Sequence, residues 1–272
     1  MEYPIVVANW KMNLTLSEAL ILSGQIFRNV ENIKHVDIVL CPPAVFLYPV
    51  IDGLRTKTKN LYFGLQNAMS EKEGEFTGET SLNMVKNVCD FAIVGHSERR
   101  RLFLETDEMV NKKVKFCLQN SVKPIVCIGE QERFHLEDHF DKEIERMKKQ
   151  GGILTQIDTA LEGVSEKDLS KICITYEPIW AVGTDNAASG VYAAAISYII
   201  KNHLKEKFSD HASDIRVLYG GSVNSQNVRE FMMQPNIDGL LVGRASLNFK
   251  EFCEICQIAS QVKSGNTSFK DN

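Results

Sequence analysis

A glutamate at the end of an apolar, β-like run is the first candidate for acid–base chemistry in this sequence. Glu177 directly follows the run 172–176 and directly precedes Pro178. A proline biases the residue before it towards an extended backbone, so this carboxylate is held at the end of a strand with little local freedom. A restrained carboxylate of this kind suits the role of a general base that removes a proton from a substrate.

Two other residues extend the same chemistry. Lys11 lies in the segment ANWKMN and His96 in the segment GHSERR. A lysine can stabilise negative charge as it develops, and an imidazole can donate a hydrogen bond or exchange a proton. Taken singly, Lys11 is as typical of a surface lysine, His96 of a helix cap and Glu177 of a strand end. Their position in the fold therefore decides between these interpretations.

The elements that must position these residues follow from the pattern of apolar residues. The spacing predicts helices over segments that include residues 19–30, 85–88, 110–118 and 195–204. Eight short apolar runs rich in β-formers alternate with such segments and predict strands at 5–9, 37–41, 61–66, 91–94, 124–128, 172–177, 216–220 and 239–242.

This alternation predicts the fold class. Strands that alternate with helices favour a parallel sheet with right-handed crossovers, and nearly continuous apolar strands are typical of a sheet covered on both faces. Eight such units in 272 residues, with no linker-like stretch, predict an α/β protein with a closed (β/α)₈ barrel, the TIM barrel. We expect a single domain over residues 1–263 and a flexible C-terminal tail over residues 264–272.

In such a barrel, the loops at the carboxyl ends of the strands build the active site. Asn9 and Lys11 follow the first run, His96 the fourth and Glu177 the sixth. The segments YGGS and VGRAS follow the seventh and eighth runs and supply backbone N–H groups of the kind that bind phosphate. Unrelated residues would be scattered over both ends of the barrel, so the common placement favours an active site for a phosphorylated substrate.

The composition excludes several classes of partner. The net charge is −4, so the chain lacks the positive field that attracts nucleic acid or an acidic membrane surface. The beginning of the chain lacks a basic segment followed by a long apolar one, and prolines at positions 42, 43 and 49 interrupt the apolar stretch 36–51. We expect a cytoplasmic protein with no nucleic-acid or membrane partner.

The cysteines and histidines indicate packing more than metal chemistry. Cys253 and Cys256 form a lone CxxC in a predicted helix, and His135 and His139 are separated by acidic residues, so helix packing and a solvated helix face are favoured. We expect no metal site and no cofactor. The odd total of seven cysteines fits reduced core thiols better than disulfides, and apolar patterns surround Cys41, Cys89, Cys117, Cys127 and Cys173.

The motifs ANWKMN, VGHSERR, CIGE, YEPIWAVGT, YGGSVN and GLLVGRASL resemble those of the triosephosphate isomerase family, in the family's order and over nearly the whole chain. The resemblance implies an isomerase of glycolysis, gluconeogenesis and the pentose shunt. Such an enzyme interconverts dihydroxyacetone phosphate and D-glyceraldehyde 3-phosphate through an enediolate, without a cofactor. Two alternatives remain: another sugar-phosphate isomerase, or a barrel with reduced catalysis that acts as a binding or adhesion protein.

The resemblance also implies individual roles. Glu177 would be the base, His96 a neutral electrophile whose pKa is kept low by the helix that SERR begins, and Lys11 with Asn9 the pair that binds substrate. Ser97 and Glu98 would support these groups, with Glu98 near Lys11. The phosphate would be held by the backbone around Gly183, Ser222, Gly243 and Arg244.

A lid and a dimer loop are further implications of the resemblance. The segment 178–187 would close over the substrate and exclude water. Its family pattern commonly has glycine where this chain has Asp185 and Arg244. The loop 66–79 would carry Thr77 to the active site of a neighbouring copy in a homodimer. The lid residues would be Pro178, Ile179, Trp180, Ala181, Val182, Gly183, Thr184, Asp185, Asn186 and Ala187.

Overall fold

The computed structural model of the chain describes residues 3–54, 58–181 and 188–265, and these contain eight parallel strands closed into one barrel. Each strand pairs with the next along the chain, and the eighth pairs with the first. The predicted TIM barrel is therefore confirmed, with strand ends within one residue of those predicted. The strands are β1 Ile5–Asn9, β2 Asp37–Cys41, β3 Leu61–Leu65, β4 Phe91–Val94, β5 Lys123–Ile128, β6 Cys173–Tyr176, β7 Arg216–Tyr219 and β8 Gly239–Val242.

Helices surround the barrel between most of the strands. Thr15 and Glu18 form a capping box that begins the first helix, in which the Glu18 carboxylate accepts the backbone N–H of Thr15 at 2.7 Å. The helices in the described ranges are α1 Leu16–Val30, α2 Leu47–Leu54, α3 Ser97–Leu102, α4 Asp107–Gln119, α5 Leu136–Lys148, α6 Ile153–Ala160, α7 Gly190–Phe208, α8 Val228–Met232 and α9 Phe249–Lys263.

One predicted helix is wrong. Between β3 and β4, the segment 85–88 does not continue as an α-helix, and the chain forms only a 3₁₀ turn at Leu82–Val85. Lys86 is extended and Asn87 has a φ of 68°, in the left-handed region, so the helix cannot propagate past Val85. Two apolar residues three positions apart fit a single turn as well as a helix, which is why the sequence pattern misleads here.

Side chains alternate between the two faces of each strand, and this alternation divides the core into two layers. One set of strand residues, which includes Val7, Val39, Ile93 and Leu218, forms a cluster inside the barrel. The alternate set packs against the helices, and the predicted apolar face of α1 is buried in that layer. Because both faces of the strands are covered, the strands are apolar along their whole length.

The cysteines and histidines match the predicted interpretations. All seven thiols are free, and the five expected in the core are buried; burial raises the pKa of Cys89 to about 12, which keeps its thiol protonated. Cys253 and Cys256 lie on α9. His135 precedes α5, and His139 interrupts its helical backbone, with both side chains exposed.

Residues 3–54, 58–181 and 188–265 contain neither a cluster of metal-ligating side chains nor a helix that could cross a membrane. Nowhere in these ranges do three or more His, Cys, Asp or Glu side chains cluster as a metal site would require. None of the helices in the same ranges has the length and apolar content needed to cross a membrane. Residues 266–272, the greater part of the predicted tail, lie outside the described residues.

Candidate active site

A cavity of about 630 Å³ opens at the carboxyl end of the barrel. Loops that follow β1, β4, β6, β7 and β8 contribute its walls, so residues far apart in the sequence meet there. The described residues that were predicted for the site and line this cavity are Asn9, Lys11, His96, Glu177, Ser222, Gly243 and Arg244.

Glu177 is the residue after β6, and it is buried with 2% of its surface exposed. Its backbone N–H donates to the carbonyl of Ile128 at 2.8 Å, which fixes the end of β6 against β5. Its carboxylate Oε1 lies 3.1 Å from His96 Nε2, and Oε2 accepts the backbone N–H of Ser97 at 3.0 Å. Burial raises the pKa of Glu177, but His96, the Ser97 N–H and Lys11 outweigh it, so the net pKa is lowered. The carboxylate is therefore ionised at neutral pH and available as a base.

His96 caps the N-terminus of α3, as the SERR segment predicted. Its Nδ1 accepts the backbone N–H of Glu98 at 3.2 Å, so the proton of the neutral ring lies on Nε2 and points to Glu177. Burial lowers the pKa of His96, but the carboxylates of Glu177 and Glu98 raise it, and the net pKa lies above the usual value. The expected low pKa is wrong for this arrangement, because the base is in direct contact with the imidazole.

Lys11 has an unusual backbone that aims its side chain. Its φ of 52° lies in the left-handed region, and Gln66 Nε2 supports this conformation by donating to the Lys11 carbonyl at 2.8 Å. The backbone N–H of Lys11 donates to Asn9 Oδ1 at 3.1 Å. Its ammonium lies 2.6 Å from Glu98 Oε1, so Glu98 is beside Lys11, as the resemblance implied.

The glycine-rich segments after β7 and β8 form a wall of the cavity beside Lys11 and Glu177. A Cβ on Gly243 would lie 3.7 Å from Lys11 Cε, which places this backbone close to the lysine. Ser222 Oγ donates to the carbonyl of Ala181 at 3.0 Å and so joins the β7 loop to the segment after Glu177. A side chain at Gly221 would overlap the ring of Tyr219, so this position requires glycine. Arg244 is exposed on the cavity wall.

The predicted lid is described only over its first four residues. Ile179–Ala181 forms a 3₁₀ turn after Pro178, and the indole Nε1 of Trp180 donates to Glu130 Oε1 at 2.8 Å. The remaining predicted lid residues lie outside the described ranges: Val182, Gly183, Thr184, Asp185, Asn186 and Ala187.

Three residues that support the site were not predicted from the sequence. Gln66 holds Lys11, Asn227 Nδ2 donates to the carbonyl of Ser222 at 3.0 Å, and Glu130 binds the segment around Glu177. Gln66 and Glu130 are polar residues at the ends of predicted strands, the signal that identified Glu177. Asn227 has no such signal, since it follows the turn that YGGSVN begins.

Together these side chains can perform proton transfer next to a carbonyl group. An ionised carboxylate, an imidazole N–H donor and an ammonium group border one cavity, beside a wall of glycine backbone. The carboxylate can remove a proton, and the two donors can stabilise the oxygen that gains negative charge.

Comparison with known proteins identifies the family. A family model described as triosephosphate isomerase matches residues 4–259. The triosephosphate isomerase of Dehalococcoides mccartyi strain BAV1 is 41% identical over 97% of this chain and 99% of its own. Those of Aquifex aeolicus and Alkaliphilus oremlandii are 40% and 42% identical, over 92% and 94% of this chain and 97% and 99% of their own. With the site geometry and these matches in agreement, the chain belongs to the triosephosphate isomerase family.

Proposed function

We propose that this chain interconverts dihydroxyacetone phosphate and D-glyceraldehyde 3-phosphate by proton transfer through an enediolate. The observation that carries the proposal is the contact of Glu177 with His96 at 3.1 Å, in the cavity that Lys11 also lines. Family membership supports the same activity. We place it in the cytoplasm, in glycolysis, gluconeogenesis and the pentose shunt.

Each group has a defined step. Glu177 removes the proton from the carbon next to the carbonyl and returns it to the adjacent carbon, because one carboxylate can reach both. The Nε2–H of His96 donates to the two substrate oxygens in turn, and the ammonium of Lys11 lies where their negative charge develops. Asn9 holds the backbone of Lys11.

The phosphate is proposed to bind the glycine-rich wall formed by the loops after β7 and β8. Backbone N–H groups of the loops with Ser222 and Gly243 suit an anion, and Arg244 adds a positive charge at the rim. The lid, residues 178–187, would close over this end and exclude water, which prevents the enediolate from losing its phosphate.

A coupled assay tests the activity. Purified protein with D-glyceraldehyde 3-phosphate should form dihydroxyacetone phosphate and incorporate solvent deuterium at the carbon that exchanges its proton. His96→Gln keeps a hydrogen-bond donor but cannot shuttle a proton between oxygens, so its kcat should fall. Activity on other sugar phosphates but not on triose phosphates would indicate the alternative isomerase. A folded protein without isomerase activity would indicate the binding or adhesion alternative, which no described feature of the cavity favours.

We propose that the active protein is a homodimer. Exposed apolar side chains follow β1, β2, β3 and β4, neighbouring strands whose loops lie on one side of the barrel. The loop 66–79 projects from this side with Thr77 exposed, and Arg99 and Lys113 hold its base through Glu79 and Asn67. A patch of this kind is typical of a subunit interface. Its residues are Met12, Val45, Tyr48, Phe76, Met84, Leu102 and Phe103.

Light scattering at micromolar concentration tests the dimer and should give twice the mass of one chain. Val45→Glu places a charge in the apolar patch and should shift the mass towards one chain. Val191→Glu is the control, since Val191 is equally exposed but lies on α7, away from the patch. A single-chain mass for the parent protein would refute the proposed dimer.

A further inference from the structure

A buried carboxylate outside the cavity contacts the chain around the base. Glu130 follows β5 and is buried, with 8% of its surface exposed. Its Oε1 accepts hydrogen bonds from the hydroxyl of Tyr176 at 2.7 Å, the indole Nε1 of Trp180 at 2.8 Å and, more weakly, the hydroxyl of Tyr192 at 3.5 Å. Its Oε2 is buried without a hydrogen-bond partner among the described residues. Three donors point at Oε1, so this oxygen acts as an acceptor, and the burial of Oε2 without a partner in the described ranges is what makes the charged form costly.

The contacts of Glu130 lie on both sides of Glu177. Tyr176 is the residue before the base, and Trp180 is three residues after it. The carbonyl of Glu130 also accepts the backbone N–H of Ile179 at 3.0 Å. Side chain and backbone of Glu130 therefore hold the segment that carries the base at three points.

We propose that Glu130 is a positioning residue for the isomerisation and that, as a carboxylate, it holds the segment Tyr176 to Trp180 so that Glu177 is aligned for proton transfer. The proposal rests on the proposed function above. Glu130 acts by holding these residues and does not itself contact the substrate, since it does not line the cavity. Small displacements of a base are costly, because proton transfer requires hydrogen-bond distance to the carbon acid.

The ionisation of Glu130 makes the role pH-dependent. Burial raises the pKa of Glu130 to about 7, although the hydrogen bonds from Tyr176 and Trp180 oppose the rise. The carboxylate is therefore ionised above about pH 7 and protonated below it. Hydrogen bonds to the ionised form are the stronger, so the segment is held most firmly on the alkaline side.

Four other titratable or charged groups face Glu130. Tyr176 of β6, Tyr192 of α7 and Tyr219 of β7 all have raised pKa values, that of Tyr192 about 12, because they are buried near Glu130. They remain hydroxyl donors across the neutral range. Arg133, whose guanidinium lies 5.8 Å from the ring centre of Trp180 and 4.9 Å from that of Tyr192, remains positive. Of these groups, only Glu130 changes charge near pH 7.

The test compares the parent protein with Glu130→Gln from pH 6 to pH 9. The amide keeps the shape and one acceptor oxygen but stays neutral. We expect the ratio of parent to variant kcat to be about tenfold or more at pH 8 to 9 and to approach one at pH 6, with KM little changed. Because both proteins contain His96, the effect of its protonation on kcat cancels in the ratio of the two kcat values.

Two additional measurements separate positioning from stability. The indole N–H resonance of Trp180 should titrate with a midpoint near pH 7 in the parent and stay constant in Glu130→Gln. Tyr192→Phe removes the 3.5 Å contact and the acceptor for the Phe134 N–H at 3.0 Å, so it should lower Tm with kcat within about twofold of the parent. If Glu130→Gln does not fold, Tyr176→Phe tests the same contact from its donor side and should lower kcat at pH 8.

The outcomes are distinct. A parent protein without triose phosphate isomerase activity refutes the proposed function and this role with it. An active parent whose kcat ratio to Glu130→Gln is independent of pH, or whose Trp180 resonance does not titrate, overturns the role of Glu130 alone.

Discussion

Glu177 and His96 control each other's protonation because they are in contact inside a buried site. The carboxylate at 3.1 Å raises the pKa of the imidazole, and the imidazole lowers the pKa of the carboxylate. The Glu98 N–H on Nδ1 selects the Nε2–H tautomer of the neutral ring and opposes the rise in pKa, because a histidinium could not accept this hydrogen bond. A contact of 3.1 Å leaves no room for a substrate atom, so a bound substrate would separate the two side chains, with its oxygen towards the imidazole N–H and its carbon towards the carboxylate.

Removal of the Glu177 charge should therefore lower the pKa of His96. In Glu177→Gln the main cause that raises this pKa is lost, while burial, which lowers it, remains. We expect a pKa below the usual 6.5 of histidine in the variant and above it in the parent. NMR titration of the imidazole resonances of His96 in the parent and the variant measures both. An unchanged His96 pKa would show that the two side chains are not coupled in solution.

Shortening the base tests its alignment. Glu177→Asp retains the charge but withdraws the carboxylate by about one methylene, and a misplacement of about 1 Å can cost about a hundredfold in rate. We expect kcat to fall by about that factor with KM little changed. Steady-state kinetics in both directions provide the measurement, and a kcat equal to that of the parent would remove Glu177 from the role of base.

At the scale of elements, the strand ends are held so closely that they leave no room for a side chain at Gly129. A Cβ there would overlap the backbone carbonyl of Glu177, and the Gly129 N–H donates to the Gln156 side chain on α6 at 3.0 Å. The loops after β5 and β6 therefore form one unit, and any expansion of the first displaces the second.

Gly129→Ala should move Glu177 and lower kcat by about a hundredfold. It should also destabilise the fold by about 1–3 kcal/mol, since inserted atoms force backbone shifts. Gly24→Ala on α1 is the control, because a Cβ there lies 3.7 Å from the nearest atom, Arg28 Nη1. It should leave kcat unchanged and add up to about 1 kcal/mol of stability. Urea unfolding and kinetics measure both effects, and an equal kcat in the two variants would contradict the close fit at Gly129.

The loop after β8 carries a charge at the rim of the cavity. The guanidinium of Arg244 is exposed and makes no ion pair with another residue of the described ranges. It is therefore available to attract the substrate's phosphate, and dissolved salt weakens this attraction by screening the charge.

Arg244→Gly should raise KM by about two- to fivefold at low ionic strength, with a smaller effect on kcat. The increase should disappear in about 0.5 M salt, because screening removes the field. Lys167→Ala removes the same charge from the 3₁₀ turn Glu166–Lys171, which precedes β6 and so lies at the other end of the barrel, and should leave KM unchanged. Equal KM values for parent and Arg244→Gly at every salt concentration would show that the arginine is neutral for binding.

At the scale of the whole molecule, the barrel closes every strand edge, and the loops after its first four strands leave large apolar side chains exposed. The loops after β1 to β4 expose large side chains such as Met12, with 96% of its surface accessible, and Phe103, with 63%. In the proposed dimer these side chains would be removed from water, so association of two copies and stability would be linked.

This linkage predicts a melting temperature that depends on protein concentration. Each tenfold increase contributes about 1.4 kcal/mol per dimer, or about 0.7 kcal/mol per chain, which for a chain of this size raises Tm by about 1–2 °C. Differential scanning fluorimetry from 1 to 100 μM measures the shift. Val45→Glu should show a smaller shift, and a constant Tm over this range in the parent would contradict a dimer that is linked to folding.

The sequence by itself determined the strands and the end of the barrel that carries chemistry. Strands buried on both faces must be apolar along their length, so their runs can be located without tertiary information. Polar residues such as Lys11, His96 and Glu177 directly follow three of these runs, and a parallel barrel places all such positions at one end. The buried thiols were predictable for the same reason.

Only the tertiary structure decided the contacts between these residues. Ser97 and Glu177 are 80 positions apart, and the His96–Glu177 contact that raises the histidine pKa depends on how β4 and β6 are arranged around the barrel. The left-handed backbone of Lys11 depends on Gln66, 55 positions away. Glu130 and the 3₁₀ turn at Leu82–Val85 were likewise missed. Local patterns report which face of a strand or helix is buried, whereas pKa values, backbone strain and hydrogen bonds across loops arise from neighbours that closure of the barrel brings together.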